Sequence, residues 1–309
     1  MTKRLFHQKH PILIGAIILV SIFVVVWAGT TFFISLFNLD KRDASIFPSP
    51  GADGGIGIIE VKGVIVSAEE TIKALTNFRK RREIRAIVLR VDSPGGAVGA
   101  SQEIYKEVKR TDNVKPVIAS FGSVAASGGY YASLGARKIF ASRGTLTGSI
   151  GVILKFANLK EIFDKVGYKT EIVKSGKMKD IGSASRSLTD EERELLKALI
   201  GNVHEQFISD IIENRKIPDD KLRKYADGRI FSGQQAMEIG LIDQVGNFTD
   251  AVIYAGQTAG METQTPRLIY PEGKKFSLLK LLTGEQAQLL FKNININYPV
   301  LSYEWTLGN

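Results

Sequence analysis

An α/β fold with a sheet buried on both faces is the architecture this sequence predicts for residues 56–260. Three observations predict it. Short β-rich runs alternate with helical patterns; the runs are apolar without a clean in-out alternation; and Gly, Ser and Pro cluster at the joins. Residues 56–61 read as the first strand and 68–78 as the helix after it. Residues 86–91 and 100–109 repeat the strand-helix pair, as do 117–120 and 127–134, and 138–141 adds a further strand. Thr189 opens the strongest helix. It forms a capping box with Glu192, and Leu195, Leu196, Leu199, Val203, Phe207 and Ile211 follow at helical spacing. Beyond about residue 260 the pattern weakens, and the last stretch predicts one helix, over 278–291.

Composition narrows the chemistry. With 44% apolar and 24% charged residues among 309, the chain is globular rather than disordered. It has no cysteine, which excludes disulfides, thiolate nucleophiles and thiolate metal sites together. Its three histidines are His7, His10 and His204, so only His204 lies outside the N-terminal tail. Net charge is +9, but without Lys3, Arg4 and Lys9 there remain 38 basic against 32 acidic residues. That is short of a nucleic-acid signature. The run Arg79-Lys80-Arg81-Arg82 with Arg85 fits a solvated helix edge or a contact to anionic lipid, so no nucleic-acid partner is expected. Metal clusters, phosphate loops and dinucleotide motifs are absent from the sequence, and neither metal nor cofactor is expected.

Residues 11–37 hold no charged side chain across 27 positions, longer than the roughly 20 apolar residues that span a bilayer. The run is too long for a signal-peptide core and is read as a retained transmembrane anchor. Lys3, Arg4 and Lys9 precede it, whereas Lys41 and Arg42 beyond it are diluted by Asp40 and Asp43. The positive-inside rule therefore keeps the N-terminus cytoplasmic and places the bulk outside, on a single-pass protein of the cell membrane. Residues 45–57, rich in Pro, Gly and Ser, form a linker.

Three glycine-serine segments each follow a strand. Asp92-Ser93-Pro94-Gly95-Gly96 precedes a helix and can aim backbone N–H groups at an oxyanion, although an ordinary βα turn fits it too. Ala126-Ser127-Gly128-Gly129-Tyr130-Tyr131 resembles a nucleophile elbow, with Ala125 breaking the strict pattern. Thr147-Gly148-Ser149-Ile150-Gly151 is the third; each serine alone fits a helix cap as well. A serine nucleophile needs a base. His204 lies within the amphipathic helix and fits a packed or solvated position, which leaves lysine. Lysine serves when burial without a carboxylate partner lowers its pKa. Lys177 and Lys179, set among glycines and serines at 175–183, are the candidates, and composition does not choose between them.

Together these segments resemble the signal peptide peptidase A or protease IV family in its short, single-domain form. The matching stretches run in the family's order. They are Asp92 to Gly96, Ala126 to Tyr131, Leu146 to Gly151, Lys179-Asp180-Ile181 with Ser185-Arg186, and Asp227 to Gly233 followed by Gly240-Leu241-Ile242-Asp243. The resemblance implies a Clp protease/crotonase-like fold and a serine endopeptidase with a Ser-Lys dyad. Ser127 would be the nucleophile, Lys179 the general base, and Ser149 the group orienting the lysine. Gly128, with Gly96 of the Gly95-Gly96 turn, would form the oxyanion hole. It also implies cleaved signal peptides and other unfolded or membrane-associated peptides as substrates. The expected assembly is a homo-octamer whose active sites are shared between protomers; the 52 positions between Ser127 and Lys179 fit a shared or an intrachain pair equally. The expected organisation is a cytoplasmic tail (1–10), anchor (11–37), linker (38–55), protease domain (56–260) and a C-terminal segment (261–309) that is an oligomer contact or flexible. Phe291, Tyr298, Tyr303 and Trp305 favour a contact there. The rivals are a crotonase-like acyl enzyme and a catalytically inactive membrane scaffold.

Overall fold

The computed structural model describes residues 54–262, 265–271 and 302–304, with residues 19–21, 23–25 and 27–29 near the N-terminus. Strand β1 (Gly55–Lys62) leads through helix α1 (Glu69–Lys80) to β2 (Ile84–Ser93). The short β3 (Gly95–Ala97) and α2 (Val98–Asp112) follow, then β4 (Val117–Ala126), α3 (Gly128–Ser133), β5 (Lys138–Ala141) and β6 (Leu146–Gly148). An arm carries α4 (Lys160–Val166) before the long α5 (Asp190–Arg215). Helix α6 (Asp219–Arg223), β7 (Ile230–Ser232), α7 (Gly233–Ile239), β8 (Gln244–Val245), α8 (Phe248–Thr258) and β9 (Arg267–Ile269) complete the body, and β10 (Ser302–Glu304) comes last.

The main sheet runs β7-β6-β4-β2-β1-β9, with β5 beside β4 and β8 beside β5. Its pairings are parallel except β6 with β7, which makes a mixed sheet of α/β type. Successive strand side chains point to opposite faces, and here both faces are covered. Ile58, Val88 and Ile118 pack with Val252 and Ala255 of α8. Ile59, Ile87 and Leu89 pack on the other face with Leu75, Phe78 and Ile104. Burying each such side chain contributes about 1.5–3 kcal/mol, which is why neither face could be polar.

Among the described residues the predicted strands and helices are present, with two differences. Strand β4 runs on to Ala126 because it forks: Ile118–Ser120 pair with β5, and Val124–Ala126 pair with β6. Its small residues near Ala125 carry little β signal on their own. Helix α5 has the expected capping box and buries Val203, Phe207 and Ile211, but Leu195 and Leu199 are 50% and 44% exposed. Its buried apolar side chains start only at Val203, so the earlier turns add none to the core.

The apolar run 11–37 lies mostly outside the described residues. Those described within it are helical, and Leu19, Phe23, Val25 and Trp27 expose their side chains. Among the described residues no helix is long and apolar enough to cross a membrane. The helix expected over 278–291 lies outside the described residues, as do Phe291, Tyr298 and Trp305.

Candidate active site

Strands β2, β4 and β6 are parallel neighbours, so their C-terminal ends lie side by side at one edge of the sheet. Each ends in one of the three glycine-serine segments. Distant stretches of sequence are thereby brought to one place by strand pairing alone.

Ser127 occupies the sharp turn from β4 into α3, at φ 53° and ψ −115°. This is a conformation that a residue bearing a Cβ rarely adopts, and Ser127 holds it while buried, at 1% exposure. The Ser127 N–H donates to the Gly148 carbonyl at 2.8 Å, and its own carbonyl accepts from the Tyr131 N–H at 2.8 Å. Gly128 follows it. A methyl group on Gly128 would stand 2.5 Å from Ser101 Oγ and 3.0 Å from the Gly96 nitrogen, so the two glycine backbones converge. The Gly95 N–H is spent on Ser93 Oγ at 3.1 Å, which leaves Gly96 as the turn's amide nearest Gly128. Gly96 must be glycine: a Cβ there would lie 2.1 Å from the Ile65 carbonyl oxygen.

Ser149 sits just past β6, and the pairing Thr147 with Ala125 and Gly148 with Ala126 sets it beside Ser127. It too has positive φ, 52°, and its N–H donates to the Arg229 carbonyl at 2.8 Å. Among the described residues neither the Ser127 nor the Ser149 hydroxyl has a hydrogen-bond partner.

The lysines resolve differently. Lys177 pairs with Glu191, and Lys174 pairs with Asp180 at 2.5 Å. Lys179 is exposed, and its side chain makes no hydrogen bond or ion pair among the described residues. One chain therefore gathers Ser127, Ser149, Gly96 and Gly128 but joins Lys179 to none of them. Next to Lys179, Arg186 grips Asp180 through Nε and Nη2 at 2.8 Å each, and Glu192 through Nη1 at 2.8 Å and Nη2 at 2.5 Å. The sequence contains this clamp as one arginine midway between two acids, at six-residue spacing on either side, but the meeting of the three side chains emerges only from the fold. His204 lines a cavity of about 330 Å³ with Ile150, Gly151 and Asp227, and its Nε2 is buried without a partner among the described residues.

Behind the serine, burial pushes the Tyr130 and Tyr131 phenols well above their usual range, with Asp210 adding to the effect at Tyr131. Both stay neutral. The Tyr130 hydroxyl donates to the Leu241 carbonyl at 2.8 Å, tying α3 to the body. Of the basic run, Arg79 bonds Glu107 and Thr111, and Arg81 bonds Glu83 at 2.7 Å, so part of it is internal structure. Among the described residues no three carboxylate or imidazole groups cluster as a metal site.

Comparison with known proteins bears on this geometry. The description "Peptidase family S49" matches residues 109–262, and "Clp protease" matches residues 59–145. A Synechocystis sp. protein provisionally named a protease is 43% identical over 76% of this chain and 84% of its own. A chloroplastic serine protease of Arabidopsis thaliana is 35% identical over 73% of this chain and 32% of its own. An Enterococcus faecium protein provisionally named a signal peptide peptidase is 37% identical over 58% of this chain and 53% of its own.

Proposed function

Because the chain belongs to peptidase family S49, and so is a serine-type protease acting on peptides, we propose that Ser127 is its nucleophile and Lys179 its general base. The observation that carries the assignment of Ser127 is its backbone. A serine held at φ 53° on a strand-to-helix turn, facing the converging Gly96 and Gly128 amides, is a costly arrangement with an evident chemical use.

The mechanism follows from the chain's own groups. The neutral Lys179 amine takes the Ser127 proton as Oγ attacks a peptide carbonyl. The Gly96 and Gly128 N–H groups receive the developing oxyanion, a kind of stabilisation worth about 3–4 kcal/mol per donor elsewhere. The lysine then protonates the leaving amine, and water releases the acyl-enzyme. Ser149 orients the amine. Lys179 is favoured over Lys177 because Lys177 is engaged by the Glu191 carboxylate, whereas Lys179 has no partner among the described residues.

We also propose that the base reaches Ser127 from a neighbouring copy in a homo-octameric ring. Two features support this: the unpartnered Lys179, and the arm that carries it, on which Ile162, Val166, Tyr168, Ile172 and Val173 are exposed. Residues 11–37 would anchor the ring in the cell membrane with the protease outside, where cleaved signal peptides are the substrates. Mixing Ser127→Ala with Lys179→Ala subunits tests the core of this reading. Each variant alone should lose at least 10³-fold in turnover, and the mixture should recover activity because some sites pair intact partners. A mixture as dead as its components sinks the shared site, and near-normal cleavage by either variant sinks the dyad.

A further inference from the structure

The proposed chemistry uses only one end of the main sheet. Ser127 and the glycine turn lie past the C-terminal ends of the strands; at the opposite end β9, β1, β2, β4 and β5 begin side by side and parallel. With about 4.8 Å between neighbouring strands, their starts form a row roughly 20 Å wide. Hydrogen bonds tie together the segments that feed it. The Gly55 N–H donates to the Glu83 carbonyl at 2.7 Å, the Arg137 N–H to the Val117 carbonyl at 2.9 Å, and Arg85 Nη2 to the Ala259 carbonyl at 3.3 Å.

The charges along this row do not balance. Glu83 pairs with Arg81, and Asp112 with Arg137. Lys115 is occupied too, since its amine donates to the Phe78 and Arg81 carbonyls and so caps the end of α1. Lys80, Arg82 and Arg267 are left over. All three are exposed, and none makes a side-chain hydrogen bond or ion pair among the described residues. Because Lys115 already serves the helix end, they have no task inside the fold. Against them the segment before β9 sets one acid, Glu262. Between α2 and β4, next to Lys115, Val114 is 63% exposed.

An exposed apolar side chain among uncompensated cations suits a bilayer surface: the cations meet headgroup phosphates, and the apolar group reaches the acyl boundary. The course of the chain supports that partner. Gly55 belongs to the row, and only residues 38–54 separate it from the apolar run 11–37, a stretch that spans at most about 60 Å. We propose that this end of the sheet docks on an anionic bilayer, with Lys80, Arg82 and Arg267 on lipid phosphates and Val114 between the headgroups. The inference builds on the reading of residues 11–37 as an anchor. Docked so, the chain holds Ser127 on the side turned away from the lipid.

The chain has no cysteine, so a single introduced one can carry a fluorophore. Full-length Val114→Cys is compared with Val66→Cys, whose site is exposed beyond the C-terminal end of β1. Both are labelled with an environment-sensitive dye and mixed with vesicles of phosphatidylcholine, alone or with phosphatidylglycerol, that contain brominated lipid as quencher. The dye at position 114 should be quenched in the anionic vesicles and released by high salt, and the dye at 66 should stay bright in both. Changing Lys80, Arg82 and Arg267 together to Gln should weaken docking about 10²-fold, at roughly fivefold per charge near an anionic surface. Cleavage of a short soluble peptide in detergent should not change. If the chain floats with both kinds of vesicle while the dye at 114 stays bright, or is quenched equally without anionic lipid, the docking surface is overturned and the anchor stands. Flotation with anionic vesicles alone, with that dye quenched, keeps the docking surface and removes the anchor. Flotation with neither overturns both, and a dye response to duplex DNA but to no vesicle assigns the row to nucleic acid instead.

Discussion

Ser127 holds a backbone conformation that costs of order 1–3 kcal/mol for a residue with a Cβ, at φ 53° and ψ −115°. The neighbouring fold maintains it through the Gly148 and Tyr131 backbone bonds on either side. If the strain is real, glycine at this position should release it, less the roughly 0.5–1 kcal/mol that glycine's extra unfolded-state freedom costs. Ser127→Gly should therefore be about 1 kcal/mol more stable than Ser127→Ala, although both lack the hydroxyl. Urea unfolding of the two variants reads this directly, and equal midpoints would remove the strain argument. Ser127 was visible as a candidate in sequence because a serine flanked by alanine and glycine at a strand-to-helix join is unusual chemistry for a core. Its strain was not visible, since φ depends on the pairing of β4 with β6, which local composition does not encode.

Arg186 ties together the two ends of the segment that carries the proposed base. It draws Asp180, the residue after Lys179, and Glu192, in the first turn of α5, onto one guanidinium. Arg186, and then the Thr189 backbone N–H, hold the Glu192 carboxyl down to about 2. Arg186, and then Lys174, hold Asp180 far below the ordinary carboxylate range. Both carboxyls thus have lower pKa values folded than unfolded, where they sit near 4.5 and 3.8. The stability they contribute is complete above those unfolded values and is lost as pH falls through the folded ones. Hydrogen exchange should accordingly show segment 174–192 opening as pH is lowered from about 5 to 2. Arg186→Gln should lower protection at neutral pH, flatten the acid dependence, and cut kcat about tenfold with KM nearly unchanged, because Lys179 loses its support. Unaltered exchange would show that the clamp does not position the arm. The capping box at Thr189 was legible, being a local pattern of two residues. The exposed Leu195 and Leu199 were not, because helical spacing shows that a face is apolar without showing where its partner begins.

At the scale of the molecule, what a single chain leaves exposed differs in kind from what it buries. The sheet was legible because strands covered on both faces must be apolar throughout. The tail was not, because β10 is three residues long and pairs with β3 some two hundred positions earlier, a contact no local pattern carries. Equally unreadable was the destination of Lys179, which one chain leaves in solvent on an arm where Val166 and Tyr168 are 70% and 58% exposed. If a second copy covers that arm and takes up its lysine, activity is a property of the assembly. Cleavage rate per subunit would then hold constant at high protein concentration and fall once dilution passes the dissociation constant of the ring. An intrachain dyad would give a rate per subunit independent of concentration. Val173→Asp sharpens the comparison. Val173 is fully exposed in one chain, so the aspartate should leave the unfolding of the chain unchanged. Against a neighbouring subunit the same carboxylate would be buried without a partner, a cost of several kcal/mol that weakens assembly by 10²-fold or more. Sedimentation and peptide cleavage, followed together across a dilution series, should therefore shift in step to higher concentration in this variant. Particles that dissociate while each subunit keeps its full rate would place the base within the chain after all.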